Sequence, residues 1–375
     1  MVKKRICVLQ KFEYMKELFL SFLLTVCALT SLHAQKIQVV DRDGNAIPYA
    51  NVMTTDAKLI GTTDLDGVLN SVNGAKNIVI THVAYQSQTV TIPPSSLRGG
   101  GEGLRVTLAD ATFDLPEITV TKKEYTYLQV YYRVVAINKE GVQYYRSGIS
   151  DNFLNKSSGK QETSKQHIVK SQSTMLKLAL NMFVGGKIDN YAKMHTETVE
   201  KTLQENFPRQ GLRFVASGAG RKNIVDKYGT IGSITDKNGK RRYSFDLHKA
   251  ALHKMQAEGK TKDLKKAKEA EAKNRNIVSS SYRAYSIDGN GKYNPEDFLM
   301  EQHMLSFESE NNGQTIIILD YYASDRGYVT KEEMKAIKKR NKAKLSFSYL
   351  QNFERSHNIP PLAPEILAKV KALAQ

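Results

Sequence analysis

The sequence predicts two β-rich units: an all-β sandwich with antiparallel, Greek-key strands over residues 35–110, and an α+β domain with an antiparallel sheet over residues 125–375. The first prediction depends on short β-forming runs separated by turn residues. The second depends on long runs rich in Tyr, Val and Ile that meet at Gly-containing turns, together with a few charged helical segments. A linker is expected over residues 111–124.

The first 34 residues have the plan of a secretory signal. Five basic residues precede or enter an apolar run, Leu18–Leu29, and the segment ends in the small residue Ala34. A 12-residue helix rises about 18 Å, too little to cross a hydrocarbon core of about 30 Å. We therefore expect export, with cleavage after Ala34. Translation starts at Met1 or at Met15, and both starts leave an adequate signal.

Cleavage would change what the mature chain can do. Both cysteines, Cys7 and Cys27, precede the expected cut, so a thiol nucleophile, a thiolate zinc site and a disulfide framework are all excluded. The remaining 50 Lys and Arg exceed 36 Asp and Glu, which gives a formal net charge of +14. Such a charge favours contact with anionic surfaces and does not specify a fold.

Six β runs are expected in the sandwich. Pro48 lies near the start of the second run, where proline is tolerated, and Asn73-Gly74 is typical of a hairpin turn. The runs are Ile37–Val40, Ile47–Thr55, Leu59–Thr63, Ile78–Val83, Gln88–Ile92 and Leu104–Leu108.

The stretch GTTDLDGVLNS contains two closely spaced aspartates, Asp64 and Asp66. A calcium loop of the EF type would need further oxygen ligands and a closing Glu, which the following residues do not supply. Aspartate side chains accept from nearby backbone amides, and Gly67 adopts a left-handed conformation easily. A turn is therefore favoured over a metal or catalytic site. The residues assigned to turns in this domain are Asp43, Gly44, Asp64, Asp66, Gly67, Asn73 and Gly74.

Three segments, DRDGNAIPYANV, GTTDLDGVL and NIVITHVAYQSQTVTI, together resemble the carboxypeptidase regulatory-like domain. That domain is a transthyretin-like β-sandwich common at the start of exported proteins of Bacteroidota-type bacteria. The resemblance covers about residues 36–110 and implies a fold, not an activity. A metallopeptidase needs His-x-x-Glu zinc ligands, and the sequence has none. The matching positions are Asp41, Gly44, Ile47, Ala50, Val52, Gly61, Thr63, Asp64, Gly67, Tyr85 and Gln88.

The segment Asp114–Thr121, DLPEITVT, resembles the one that follows the same sandwich in TonB-dependent outer-membrane receptors. The rest of this chain is too short to form their 22-stranded barrel. The resemblance implies the periplasm or outer membrane of a Gram-negative bacterium. An alternative function that this resemblance implies is that of an accessory subunit of such a transporter.

The second domain is expected to contain hairpins and helices. Hairpins are predicted from Tyr125–Ile137 to Gly141–Tyr145, around Asp236–Lys240, and around Asn311–Gly313. The predicted helices are Thr174–Phe183, Leu247–Arg275, Thr330–Asn341 with a capping box from Thr330 and Glu333, and a short one that starts at Pro364.

Catalytic motifs are not found. The sequence has no Gly-x-Ser-x-Gly elbow and no Walker or dinucleotide loop, and the mature histidines lack ligand spacing. The motifs DYYASDRGYVTKEEMK and FERSHNIPPLAPEI resemble the second half of envelope proteins of unassigned activity. We therefore predict a non-enzymatic protein that docks or binds, without a cofactor, metal or nucleic acid. The alternative class is a hydrolase of surface glycans or peptides whose paired carboxylates the sequence does not reveal.

The segment Lys249–Arg275 is strongly basic, with nine Lys and Arg against four Asp and Glu. A solvated helix face is the favoured interpretation. The functional alternative is contact with anionic lipid or lipopolysaccharide, besides a possible envelope protein partner. The residues expected to make that contact are Lys260, Lys262, Lys265, Lys266, Lys268 and Lys273.

Overall fold

The structure is a computed structural model. It describes residues 36–72, 74–93, 103–113, 123–172, 194–218, 220–273, 278–309, 313–340 and 345–373. The predicted signal peptide, Asn73, most of the predicted linker and the predicted helix Thr174–Phe183 lie outside the described residues. In the described part of the chain, no helix is both long enough and apolar enough to span a bilayer.

Residues 36–113 form two small sheets that share one apolar core. One sheet has the strand order β4-β1-β7 and the other has the order β3-β2-β5-β6. Val39 of the first sheet and Val52 and Ile80 of the second are fully buried in the same hydrophobic cluster. The strands are β1 Ile37–Val40, β2 Asn51–Thr54, β3 Leu59–Thr62, β4 Val68–Leu69, β5 Asn77–His82, β6 Tyr85–Thr91 and β7 Leu104–Thr107.

Three predictions for this unit are wrong in detail. Strands β1 and β7 pair in parallel, so the sandwich is not antiparallel throughout. The strands on either side of Asn73-Gly74, β4 and β5, do not pair as a hairpin, because they belong to different sheets. The second strand begins at Asn51 rather than Ile47, since Tyr49 adopts a φ of +59° that a strand does not accommodate.

Ten strands described between residues 125 and 329 form one antiparallel sheet, in the order β10-β9-β8-β17-β16-β15-β14-β13-β12-β11. Two runs of consecutive strands, β8 to β10 and β11 to β17, meet where β17 pairs with β8. Most neighbours within these runs are joined by short turns, whereas residues 247–277 lie between β14 and β15. The strands are β8 Tyr125–Asn138, β9 Gly141–Asn155, β10 Gln161–Ser171, β11 Arg213–Gly218, β12 Arg221–Asp226, β13 Gly229–Lys237, β14 Lys240–Asp246, β15 Val278–Ser286, β16 Phe298–Ser309 and β17 Gly313–Val329.

The three predicted hairpins of this sheet are confirmed as antiparallel pairs: β8 with β9, β13 with β14, and β16 with β17. At the turn between β13 and β14, Asn238 and Gly239 have φ values of +52° and +69°. Two consecutive left-handed residues are what a tight hairpin turn needs, and Asn-Gly adopts them at low cost.

Six α-helices are described. The capping box is confirmed, because Glu333 accepts from the Thr330 amide at 2.7 Å and Thr330 Oγ1 accepts from the Glu333 amide at 3.2 Å. The prediction of a single helix over Leu247–Arg275 is wrong, because Gly259, with a φ of +68°, separates two helices. The helices are α1 Val199–Asn206, α2 Leu247–Ala257, α3 Thr261–Lys273, α4 Lys331–Arg340, α5 Phe347–Ser356 and α6 Pro364–Ala372.

The two faces of the large sheet carry different partners. The sandwich, α5 and α6 pack against one face, where Tyr131 and Tyr322 join the sandwich core. Helices α1 and α2 pack against the other face around Tyr243 and Tyr321. The sandwich and the sheet therefore share one continuous apolar core.

Candidate functional site

A cavity of about 720 Å³ lies between helix α5 and the large sheet. This volume is within the range of about 300–1,000 Å³ that is typical of small-molecule sites. Helix α5 and the residues that flank it form one wall, strands β8, β9, β10 and β17 form the floor, and Arg340 at the end of α4 lies at the side.

The helical wall is an aromatic stripe. Tyr349, Phe353 and His357 follow one another at intervals of four residues, so they lie on one side of the helix. The Phe353 and His357 rings stack with centroids 3.9 Å apart. Tyr349 is 52% exposed and lies at an angle to Phe353. The helical side of the cavity is completed by Leu345, Asn352 and Ser356.

The floor is more polar. Gln129 is the direct cross-strand neighbour of Asp325 on one side and of Asp151 on the other. Buried Asp151 accepts from Tyr127 Oη at 2.6 Å and from Gln129 Nε2 at 2.9 Å. The floor residues that line the cavity are Tyr127, Gln129, Ile149, Gln166 and Asp325.

One of two notable polar groups of the floor, the Asp325 carboxyl, is accessible to an occupant, whereas the other, the Gln166 amide nitrogen, is buried. Burial raises the pKa of the Asp325 carboxyl above its ordinary value, and nearby Asp151 adds to the rise. The Asp325 side chain is nevertheless exposed to the cavity. Gln166 Nε2 is buried and has no hydrogen-bond partner among the described residues. An unpaired buried donor costs about 1–3 kcal/mol, and a polar ligand would recover that energy.

A buried ionic network fixes α5 over the floor. Glu354 of α5 accepts from Tyr131 Oη at 2.5 Å, and Arg133 Nη1 lies 3.5 Å from the same carboxylate. Arg133 also donates to Asp320 at 2.9 Å and to the Pro360 carbonyl at 2.8 Å. Because these groups are buried and paired, they hold the aromatic stripe in one position.

Ser356, His357 and Asp325 line the same cavity, but they do not form a catalytic triad. His357 Nδ1 lies 2.9 Å from the Phe353 carbonyl oxygen and 3.0 Å from Ser356 Oγ. A carbonyl only accepts, so Nδ1 carries the proton and donates it there. That nitrogen is then unable to take a proton from Ser356, whose hydroxyl itself donates to the same carbonyl. These hydrogen bonds cap the C-terminal end of α5.

A second polar cluster lies on the opposite face of the sheet. The fully buried carboxylate of Glu301 contacts His195 at 3.0 Å, His303 at 2.6 Å and the guanidinium of Arg283. Burial alone would raise the pKa of Glu301, but Arg283 and the two histidines hold it well below its ordinary value. The described residues include no group of three or more acidic, His or Cys side chains arranged to hold a metal ion.

The residues assigned to turns lie away from the cavity. Asp64 Oδ1 accepts from the amides of Asp66 and Val68, at 2.9 Å each, and Gly67 has a φ of +70°. Asp66 borders a separate cavity of about 390 Å³ that also contains Lys249.

The other predicted turn lies at the junction with the large sheet. The Asp43 amide donates to Asp41 at 2.9 Å, and Gly44 has a φ of +82°. Lys237 of β13 bridges both carboxylates, at 3.0 Å from Asp41 and 2.6 Å from Asp43. Gly74 also has a positive φ, of +71°.

The candidate lysines lie in α3 and just before it, and α3 contacts α2, the helix that packs on the sheet face opposite the cavity. The four exposed lysines of this helix are Lys262, Lys265, Lys266 and Lys268. Lys265 lies 4.0 Å from Glu269, and Lys260, just before the helix, pairs with Glu258 at 2.8 Å. The backbone of Lys273 belongs to α3, and its side chain is outside the description.

Sequence reasoning missed the cavity and the Glu301 cluster. The sequence does contain a signal for the cavity, because aromatic rings recur every four residues in FSYLQNFERSH. The Glu301 cluster had a partial signal, because Glu301 and His303 alternate on one strand and so share a face. Its third member, His195, comes from a distant segment and gave none.

No protein-family model and no curated protein matches this chain.

Proposed function

We propose that this chain is a non-catalytic binding protein that holds a ligand in the cavity beneath α5. The observation that supports the proposal best is the construction of that cavity. An accessible carboxyl with a raised pKa and an exposed aromatic ring converge on one space of ligand size.

The same geometry argues against a hydrolase. Two carboxyl groups facing one cleft are needed for the usual glycosidase mechanism. Asp325 is the one carboxylate among the described lining residues, since Asp151 is fully buried behind Tyr127 and Gln129. The histidine in the cavity uses Nδ1 to bind a backbone carbonyl. A binding role needs neither a second carboxylate nor an activated nucleophile.

We further propose that residues 36–113 form a carboxypeptidase regulatory-like, transthyretin-like sandwich in a protein of the cell envelope. Two packed sheets and the turn at Asp64 and Gly67 support the fold. The basic and apolar pattern before Ala34 supports export. Because the sandwich covers the sheet face that also carries α5, it would support the binding domain structurally.

The binding proposal can be tested by native mass spectrometry. The full chain is incubated with saccharide, peptide and lipid fractions of a Gram-negative envelope. We expect one fraction to supply a ligand that binds with 1:1 stoichiometry, and we expect Tyr349→Ala to lose most of it. Val215→Ala, which changes an exposed apolar side chain on edge strand β11, serves as the control. Absence of any retained ligand, or retention equal in Tyr349→Ala, would contradict the proposal.

A further inference from the structure

We propose that the ligand of this cavity is a neutral saccharide. This inference rests on the proposed binding function and adds the chemical class of the ligand. It is carried by the contrast between the two walls: aromatic rings on α5, and planar hydrogen-bonding side chains on the facing strands.

The helical wall suits one side of a sugar ring. A pyranose presents C–H bonds on its faces and hydroxyl groups around its rim, so an exposed aromatic ring contacts a face without removing water from the hydroxyls. Tyr349 offers such a ring, because it is 52% exposed and is held at the first turn of α5. The Tyr349 amide donates to Ser346 Oγ at 3.1 Å, which fixes the start of the helix.

The polar side chains that face α5 match the hydroxyl groups around the rim of a sugar ring. Gln166 and Asp325 come from two different strands of the floor, and Asn352 reaches the cavity from α5. The amide of Gln129 between them is already bonded to Asp151 and Ser324. Amide and carboxylate groups are planar and each offers two polar atoms, which matches pairs of neighbouring hydroxyls that donate and accept at once. The buried, unpartnered Nε2 of Gln166 is a donor that a hydroxyl oxygen would satisfy once the side-chain amide turns into the cavity.

The charges of the lining favour a ligand without net charge. Among the described lining residues, Asp325 carries a negative charge and Arg340 carries a positive charge, and the two charges cancel. A fatty acyl chain would cover the carboxylate of Asp325 without giving it a hydrogen-bond donor. An extended peptide binds best along a strand at the edge of a sheet, and among the floor strands that position belongs to β10. A peptide added there would lie three strands away from Asp325 of β17, because β8 and β9 come between them.

The test uses the full chain and isothermal titration calorimetry with neutral hexose and N-acetylhexosamine oligosaccharides, uronate oligosaccharides, tripeptides and a fatty acid. We expect at least one neutral saccharide to bind. We expect Tyr349→Ala and Asp325→Asn each to weaken that binding at least about tenfold, the scale of one lost charged hydrogen bond. Matched controls are Val215→Ala and Asp263→Asn, an exposed carboxylate on α3, and both should bind as the parent does.

The outcomes separate this inference from the function on which it rests. Binding of a peptide, a fatty acid or a uronate that depends on Tyr349 and Asp325, without binding of any neutral saccharide, would overturn the saccharide inference and keep the binding function. Saccharide binding unaffected by both substitutions would place the site elsewhere and overturn the inference. If no probe bound and no envelope fraction supplied a ligand, both proposals would fail.

Discussion

Arg242 of the large sheet reaches across to Asp110 at the end of the sandwich, with Nη2 and Oδ1 3.0 Å apart. The same guanidinium donates through Nη1 to the hydroxyl of buried Tyr85, at 2.9 Å. Lys237 pairs with Asp41 beside it. These contacts surround the apolar core that the sandwich and the sheet share, so the two units are joined by packing as well as by charge.

Replacing Arg242 should therefore destabilise the whole chain rather than release the sandwich. Arg242→Met keeps the length of the side chain but leaves Asp110 and the Tyr85 hydroxyl without their donor. We expect a loss of about 1–3 kcal/mol in the free energy of unfolding, with one cooperative transition in urea. Arg213→Met, on exposed edge strand β11, is the control. Two separate transitions in the parent protein would show that the units unfold independently.

Asp325→Asn should have opposite effects on stability and on binding. The pKa of Asp325 is raised in the folded state, so the folded chain holds its proton more tightly than the unfolded chain. The protonated carboxyl of Asp325 contributes to the free energy of unfolding at low pH. This contribution is lost as the pH rises from the ordinary pKa of 3.8 through the raised value in the folded state. The neutral amide removes that penalty, so thermal unfolding at pH 7 should occur at a higher temperature while ligand affinity falls. A variant that loses stability and keeps full affinity would contradict this expectation.

His82 should make the protein sensitive to acid. Its Nδ1 accepts from the Ala84 amide at 3.1 Å, and its ring packs edge-on against Tyr282. Burial, with a smaller effect of Arg242, lowers the pKa of His82 to about 3. Below pH 6.5 the unfolded chain protonates this side chain and the folded chain does not. The free energy of unfolding should then fall by up to about 1.4 kcal/mol for each pH unit, until the pH nears 3.

Urea unfolding from pH 7 to pH 4.5 measures that slope in the parent and in His82→Phe. The phenyl ring keeps the contact with Tyr282 but does not titrate. We expect the variant to be less stable at pH 7, because the Ala84 amide loses its acceptor, and to have a shallower dependence on pH. Equal slopes in the two proteins would mean that His82 does not titrate on unfolding.

Local chemistry predicted the elements of this fold better than their assembly. The Asn238-Gly239 turn, the capping box at Thr330 and the β run of Ile37–Val40 each depend on neighbours in sequence, and each is found as predicted. The parallel pairing of β1 with β7 was not predicted. It joins strands more than sixty residues apart, and no local signal separates it from an antiparallel pair.

The candidate site shows the same limit. The polar row from Asp325 through Gln129 to Asp151 exists only because β17, β8 and β9 are neighbours in a particular register. A bulge between Ala323 and Asp325 contributes to that register. In the sequence these residues are separate positions among other polar residues of three strands. The aromatic stripe of α5 was the one part of the site that its own segment encoded.

The turn at Asp64 leads to a prediction about metal ions. Asp64 Oδ1 accepts two backbone amides, and an asparagine side chain offers the same oxygen. Asp64→Asn should change the free energy of unfolding by less than about 0.5 kcal/mol, whereas Asp64→Ala should cost about 1 kcal/mol. Neither calcium nor a chelator should shift the thermal midpoint of the parent. A calcium-dependent shift that Asp64→Asn abolishes would show a metal site.

The basic helix α3 leads to a prediction about lipid surfaces. Lys262, Lys265 and Lys266 lie on adjacent positions of one helix side and are exposed. Each lysine near an anionic surface contributes about 1 kcal/mol. Reversing all three to Glu should therefore weaken the binding of the full chain to vesicles rich in anionic lipid by a hundredfold or more, as measured by co-sedimentation.

The control is the same charge change on another helix, with Lys331, Lys335 and Lys339 of α4 replaced by Glu, because these side chains are also exposed. Both triple variants have the same net charge, so a loss caused by net charge alone would be equal in the two. A contact through α3 instead predicts a much larger loss in the α3 variant. In the parent, this contact should also weaken as salt is raised from 0.05 to 0.5 M, since screening shortens the reach of each charge. Equal losses in the two variants, or binding that salt does not change, would contradict a contact through α3.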